Sequence, residues 1–544
     1  MATKRNKSWL ARLPLLGRVF ENQSGAVAVQ FAILLMPLTV LSFGLFDISR
    51  ASIAKQQLQD ALDAATLLAA RSNATTSTAL GAVGRPALIA NMSSLSDATL
   101  GTSTFAISGN YIDSSARVTI RPIIANLWMN GDMTINASSQ VVRTTNRVEL
   151  ALVLDNTGSM SQTLGSDTKI NALRTAAQGL VTTLQAAAVR SGDPNSVKIG
   201  VVPFSMSVNV GTTYQSATWM SGAQPAAYGS DVFATANTNR FTMFSNMNIP
   251  WAGCVESRPA PYDIQDTAPA VGTPATLFVP YFAPDEPDDN KISYTSGGST
   301  YYYSFPNNYI NNDRNSTTGS TLTALRARQG QVSKYNVAYR GNIVSGANGT
   351  GNFGPNRECG MQPIMRLTTN FANVNTRLNS MVAVGNTNVP MGLIWGWHVL
   401  SPNAPFSDGS TYGTANLSRV IVLLTDGDNT NSETSDPNRS IYTGIGYIWQ
   451  QRLLASNTTP LSTSSTANDR MDALDDRETR LCNNLRAQGI YVYAIGVGVS
   501  SRARTLLQGC ATDASYYFDV TNTSQMNAVF DTIAGAIQNL RISR

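Results

Sequence analysis

Three short stretches of this chain set oxygen-bearing side chains where they could do chemistry. The first is Val148–Ser161, VELALVLDNTGSMS, where a near-continuous apolar run ends in Asp155, Thr157 and Ser159. A carboxylate and two hydroxyls at i, i+2 and i+4 are hard oxygen donors, suited to Mg²⁺, Mn²⁺ or Ca²⁺ rather than to zinc or copper. The second is Gly385–Pro402, GNTNVPMGLIWGWHVLSP, with Thr387 just ahead of a helix. The third is Val420–Thr430, VIVLLTDGDNT, whose apolar run ends at Asp426. The first stretch also admits a plainer reading: a strand, an Asx turn and a helix N-cap in which Asp155 and Ser159 bond only locally. Asp428 fits either a place behind the site or a turn.

Other chemistry finds no support. There is no Gly-x-Ser-x-Gly elbow, His-Glu-x-x-His pair or phosphate loop. His398 is the only histidine, and beside Trp395 and Trp397 it reads as a packed or partly exposed residue, not a base. Gly349–Gly354 spells Gly-x-Gly-x-x-Gly, but no strand leads into it and no helix follows, so it reads as chance. An enzyme is not expected.

Asp-x-Thr-x-Ser at 155–159, a distant Thr387 before Gly392-Leu393-Ile394-Trp395-Gly396, and Thr425-Asp426-Gly427 at a strand end together resemble the von Willebrand factor A domain. The resemblance implies a metal-ion-dependent adhesion site. Asp155, Thr157 and Ser159 would form its first loop, Thr387 its second and Asp426 its third. They would hold a divalent cation, Mg²⁺ in the first place, with Mn²⁺ and Ca²⁺ as alternatives. The family usually has Ser where Thr157 stands; the hydroxyl is retained.

The elements that must position these residues follow from hydrophobic pattern. The apolar runs before Asp155 and Asp426 read as buried parallel strands, and α/β folds place sites at the carboxyl ends of such strands. Further strands are expected at Val197–Pro203, Tyr491–Val499 and Ser515–Val520. Helices are expected at Ile170–Ala188, after Thr387, at Asp469–Gln488 and at Ser524–Leu540. The fold class is therefore α/β with a mostly parallel sheet, which the resemblance implies is a doubly wound von Willebrand factor A domain with long insertions. It is preceded by a transmembrane helix and a small β-rich connector. The domain runs over 147–544, with insertions at about 212–366 and 429–468. The first insertion, rich in Tyr, Asn, Gly, Ser and Pro, reads as a subdomain or functional loop.

Charge places the N-terminus. The chain has 39 basic and 34 acidic residues, but Lys4, Arg5, Lys7, Arg12 and Arg18 precede the first acid, Glu21, and the remainder is balanced. That excludes a basic face for nucleic acid. Residues 1–21 are a basic cytoplasmic segment, and 22–46 carry no charge until Asp47. As a helix of roughly 37 Å, the uncharged span would cross a membrane core of ~30 Å. Basic residues ahead of it predict N-terminus inside and bulk outside. An amphipathic helix over 47–71 continues it, with Ala51, Ala54, Leu58, Ala61, Ala65 and Leu68 as an apolar seam. The seam could pack on its own ectodomain or on a neighbour, the former being the simpler arrangement. The β-rich connector covers 72–146, with strands at Thr104–Ser108, Ala116–Ile120 and Met133–Val142. Cys254, Cys359, Cys482 and Cys510 contain no Cys-x-x-Cys pair, and local pairing 254–359 and 482–510 is expected in an oxidising compartment.

The opening from Ser24 to Ala32, SGAVAVQFA, and Leu45-Phe46-Asp47-Ile48-Ser49-Arg50 are similar to the N-termini of TadE/TadG-like proteins of Tad (Flp) pilus assembly. With an A-type domain behind it, the TadG-like branch is implied. Prepilin-like members carry Glu five residues after the cleavage-site Gly. Here Gln30 stands at that distance from Gly25, so an uncleaved anchor is expected. The resemblance implies an inner-membrane, single-pass, mostly periplasmic protein. Its partners would be other pilus-assembly proteins, engaged through an acidic side chain that completes the metal shell. The alternative is a surface-exposed, metal-dependent adhesin.

Overall fold

The computed structural model describes residues 26–542, apart from 73, 75, 94, 96, 109–110, 124–130, 143–146, 192, 223–231, 234–237, 289–291, 312–321 and 348. The basic segment 1–21, the start of the uncharged span and Gly25 lie outside the described residues. The chain divides into two compact units, before and after Thr144/Thr145.

In the first unit, helix α1 runs unbroken over Ala26–Arg71 with Pro37 inside it. Its first part is long and apolar enough to cross a membrane, and Phe31, Ile33, Leu34, Met36 and Leu38 are exposed. Its second part buries Ala54, Leu58, Ala61, Leu62, Ala65 and Ala69 in a core of its own unit. Leu68, expected in the seam, is 53% exposed; Leu62 and Ala69 take the inner positions instead. The mean helical repeat of 3.6 residues drifts away from a strict three-four alternation over five turns. The same core takes in helix α2, Ser77–Asn91, and an antiparallel sheet of β1 (Ala98–Ser108), β2 (Tyr111–Ile120) and β3 (Met133–Val142). Helix α2 falls in the stretch read as β-rich. Its Gly81, Gly84 and Pro86 depress helix propensity, yet Thr76 caps it by accepting from Ala79 N at 3.2 Å. A Cβ at Gly84 would meet the Phe105 ring at 2.5 Å, so the glycine sets how closely α2 approaches the sheet.

The second unit is built on a mostly parallel sheet. Its strands are β4 (Arg147–Asp155), β5 (Val197–Phe204), β6 (Val208–Asn209), β7 (Cys254–Val255), β8 (Met365–Thr368), β9 (Leu417–Thr425), β10 (Ile490–Val497) and β11 (Tyr517–Val520). The order is β11-β10-β9-β4-β5-β6-β7, with β8 also on β5. All pairs from β11 to β5 are parallel, and β6, β7 and β8 join antiparallel. Central strands are apolar on both faces, as parallel strands covered by helices must be. Leu150, Leu152, Leu154, Val420, Val422 and Leu424 pack with helices α3 (Lys169–Ser191), α4 (Phe371–Asn379) and α8 (Met526–Ile542). Ala151, Val153, Ile421 and Leu423 pack with α5 (Val389–Leu400), α6 (Ala467–Ala487) and α7 (Ser501–Cys510). Helix α5 is buried all round, and a Cβ at Gly396 would stand 2.5 Å from Val153 Cγ2. That glycine lets α5 lie close against β4.

The first insertion is not a separate body. It extends the sheet through β7, and its Trp219, Phe244, Trp251, Phe278 and Tyr335 belong to the same apolar cluster as β4 and α5. Disulfides join Cys254 to Cys359 and Cys482 to Cys510, the local pairing expected from sequence.

Candidate metal centre

Strands β4 and β9 finish level. Leu154 lies opposite Leu424, so Asp155 and Thr425 are the next residues on each strand. Asp155 is fully buried. One of its oxygens accepts from Thr157 N at 2.8 Å, the Asx turn of the plainer reading, and the other from Thr425 Oγ1 at 2.6 Å. Ser159 is not an N-cap. It reaches across 267 positions and donates to Asp426 Oδ1 at 2.6 Å, while its oxygen stands 3.0 Å from Thr157 Oγ1.

The second loop is fastened to both others. Gly158 N donates to Gly385 O at 2.9 Å, and Thr430 N donates to Thr387 O at 2.9 Å. The Thr387 hydroxyl lies 4.0 Å from where a Cβ on Gly427 would be. The structure thus brings the loops of Asp155, Thr157, Ser159, Thr387 and Asp426 to one edge of the sheet. It draws Asp428 away from them, because Ser500, the cap of α7, donates to Asp428 Oδ1 at 2.6 Å. Asn429 holds the third loop from behind. It accepts from Val389 N at 2.9 Å and donates to Asp475 and Glu478 of α6 at 3.0 and 2.8 Å.

Charge at this edge is unbalanced. Burial, and then the neighbouring charge of Asp426, push the Asp155 carboxyl up to about 6, against the bonds from Thr157 and Thr425. Among the described residues no basic side chain forms an ion pair with Asp155. Asp426 has one: Lys169 Nζ lies 2.7 Å from Asp426 Oδ2, and both side chains are buried. Sequence reading began α3 at Ile170 and passed over Lys169. A signal was present, since a lysine in the first turn of a helix opposes the helix dipole unless an anion meets it. Thr425, quoted in the third motif without a role, proves to hold Asp155 through its hydroxyl. The donor set fits a hard divalent cation: two converging buried carboxylates, three hydroxyls and no soft ligand.

His398 lies in the last turn of α5. Its ring is fully buried against Phe278 and Trp395, at centroid distances of 5.3 and 5.2 Å, and neither ring nitrogen has a hydrogen-bond partner among the described residues. Burial, then the Arg258 charge, hold its pKa well below the ordinary value. In the unfolded chain the imidazole takes a proton near pH 6.5 that the folded protein refuses, so its contribution to stability falls as pH drops below that point. Between pH 7.5 and 5.5 wild type should lose about 1.4 kcal/mol more than His398→Phe. Denaturant titrations at both pH values measure this, and equal losses would show that the imidazole protonates in place.

Residues 25–66 match the family model described as TadE-like protein, a pilus-associated family. The match covers the apolar helix and most of its continuation. No curated protein matches the chain. Among solved structures, the pilus adhesin SpaC of Lactobacillus rhamnosus GG is 13% identical, with a TM-score of 0.32 over 82% of this chain and 35% of that one. The chain thus spans about a third of SpaC. The vWF domain of the type V pili tip protein Mfa5 of Porphyromonas gingivalis is 10% identical, with a TM-score of 0.32 over 74% of this chain and 97% of that one. The adhesive tip pilin GBS104 of Group B Streptococcus agalactiae is 10% identical, with a TM-score of 0.32 over 72% and 100%. Likeness at these scores bears on neither fold nor function. The TadE-like match is to a pilus-associated, non-enzymatic family.

Proposed function

We propose that the chain is a membrane-anchored, TadG-like component of Tad (Flp) pilus assembly. Its second unit is then a doubly wound von Willebrand factor A domain that binds partner proteins through a metal-ion-dependent adhesion site. Asp155, Thr157, Ser159, Thr387 and Asp426 would hold the cation, Mg²⁺ in the first place. When bound, the cation supplies a Lewis-acidic anchor for a carboxylate of another pilus-assembly protein. The observation that carries this reading is the meeting of three loops, distant in sequence, around two buried carboxylates of which only Asp426 meets an ammonium among the described residues. The TadE-like match over 25–66 supports the pilus part, and the exposed apolar half of α1 supports an anchor. On this reading the anchor sits in the inner membrane with the N-terminus cytoplasmic and the bulk of the chain periplasmic. The alternative, a surface adhesin, draws on one feature. Tyr294, Tyr301 and Tyr302 stand exposed on a hairpin of the first insertion, with Tyr294 and Tyr301 stacked at 5.5 Å. Protease accessibility on intact cells would favour it over the periplasmic placement.

The metal is tested by calorimetry on the detergent-solubilised full chain with Mg²⁺, Mn²⁺ and Ca²⁺. Wild type should bind one cation. Asp155→Ala should abolish binding and Ser159→Ala weaken it, with circular dichroism unchanged. A folded wild type that binds none of the three cations would sink the metal site.

A further inference from the structure

Lys169 is a basic residue at the metal edge, and the proposed ligand set does not use it. It is the first residue of α3, its backbone N donates to Gln162 O at 3.0 Å, and its side chain turns back into the site. There Nζ lies 2.7 Å from Asp426 Oδ2 and 3.4 Å from Gln162 Oε1, with the side chain buried. The other oxygen of Asp426 accepts from Ser159 at 2.6 Å. Asp426 therefore meets an ammonium on one side and a proposed metal ligand on the other, and Asp155 meets no cation among the described residues.

Charge counting then gives the consequence. Two carboxylates and one ammonium leave one net negative charge. A divalent cation turns this into one net positive charge in a buried setting, where unbalanced charge is costly. One carboxylate from a partner brings the sum to zero. Without the ammonium, the cation alone would already neutralise the two aspartates, and an incoming carboxylate would add an excess negative charge.

We propose that Lys169 makes the cation and an acidic partner bind as a pair, weakening the cation on its own and strengthening it when a carboxylate arrives. This inference rests on the metal reading above. Because linkage is reciprocal, the same ammonium strengthens the hold on an acidic ligand once the metal is present. Free cation at modest concentration then leaves the site largely unloaded until a partner supplies the missing charge. Lys169 is a positioning and charge-setting residue and touches the metal only through Asp426.

The experiment measures Mn²⁺ affinity by calorimetry for the detergent-solubilised full chain as wild type, Lys169→Gln and Lys169→Arg. Each is titrated with and without N-acetyl-aspartate amide as the carboxylate probe, after correction for chelation by the probe itself. Lys169→Gln should bind Mn²⁺ roughly ten-fold more tightly or better than wild type in the absence of probe. The tightening that the probe gives wild type should shrink in Lys169→Gln and persist in Lys169→Arg. Circular dichroism confirms folding, and Lys169→Met serves if the glutamine variant does not fold. Equal or weaker Mn²⁺ binding by the neutral variant, with wild-type binding still lost in Asp155→Ala, overturns the role of Lys169 and leaves the metal reading standing. If neither wild type nor the neutral variant binds Mn²⁺, the metal reading falls and takes this inference with it.

Discussion

Glu256→Ala is expected to destabilise the second unit by about 3–5 kcal/mol, the usual result of removing one member of a buried charge network. Glu256 follows β7 directly and is fully buried. One carboxylate oxygen accepts from Arg240 and from the Tyr442 hydroxyl, and the other from Arg452 Nη1 at 2.7 Å. Arg240 is fully buried too, on the short helix Arg240–Met247, and Arg452 nearly so. Taking away the carboxylate removes the anion that the two guanidinium groups share in a low-dielectric pocket. The effect should depend on charge rather than on volume. Glu256→Gln, which keeps the shape, should lose most of the same stability. The triple replacement Arg240→Met, Glu256→Leu, Arg452→Met should recover much of it, since it removes the desolvation cost along with the attraction. Denaturant unfolding monitored by tryptophan fluorescence reads all three. A loss below about 1 kcal/mol for Glu256→Ala would mean that water reaches the network, as at a surface pair. The network spans both insertions, Arg240 and Glu256 from the first and Tyr442 and Arg452 from the second, so its loss should loosen them together.

That network also marks the limit of what could be read in the sequence. Strands β4 and β9 were legible because they are buried on both faces and so are apolar at nearly every position. Asp155 and Asp426 were legible because each ends such a run, and the carboxyl edge of a parallel sheet gathers residues far apart in the chain. The disulfides were legible because four cysteines fall into two local groups. Arg240, Glu256 and Arg452 have no such pattern. A buried ion pair is defined by where its partner lies, and here the partners are 16 and 196 positions apart in segments with no regular period. The first insertion hid its place in the core for the same reason. Its aromatics are scattered among turns, and only the folded chain shows them meeting those of α5. Helix α2 was missed because glycine and proline outweighed its cap, and tertiary burial of Leu80 and Leu88 overrides weak local propensity. Lys169 was passed over because its meaning lies in Asp426, 257 positions away.

The second large effect acts on the unfolded chain instead of the folded one. Cys254→Ala with Cys359→Ala opens a closed loop with a sequence separation of 105, and the loop-closure estimate for that length is about 4.7 kcal/mol. The pair Cys482–Cys510 spans 28 positions, for which the same relation gives about 3.6 kcal/mol. The folded geometry around the longer loop has other ties. Cys254 pairs with Asn209 in the sheet, Asn209 Nδ2 donates to Met361 O at 3.1 Å, and Ile364 N donates to Asn209 O at 2.7 Å. The native contacts at the base of the insertion should therefore survive, and the cost should come from the freedom restored to residues 255–358 once unfolded. Thermal midpoints at a fixed scan rate should fall by roughly 5–10 °C for the 254/359 variant and by less for 482/510. If the proposed metal site holds, Mn²⁺ binding should persist in both below the transition. Limited proteolysis should cut the 254/359 variant first within the first insertion. A reversed order of midpoints would show that strain or local packing, and not loop length, sets the contribution of each bridge. Because Cys254 lies two residues from Glu256, the triple variant joining Cys254→Ala, Cys359→Ala and Glu256→Ala should not show simple additivity. The charge network and the bridge both fasten the base of one insertion, and whichever is lost first leaves the other less to hold.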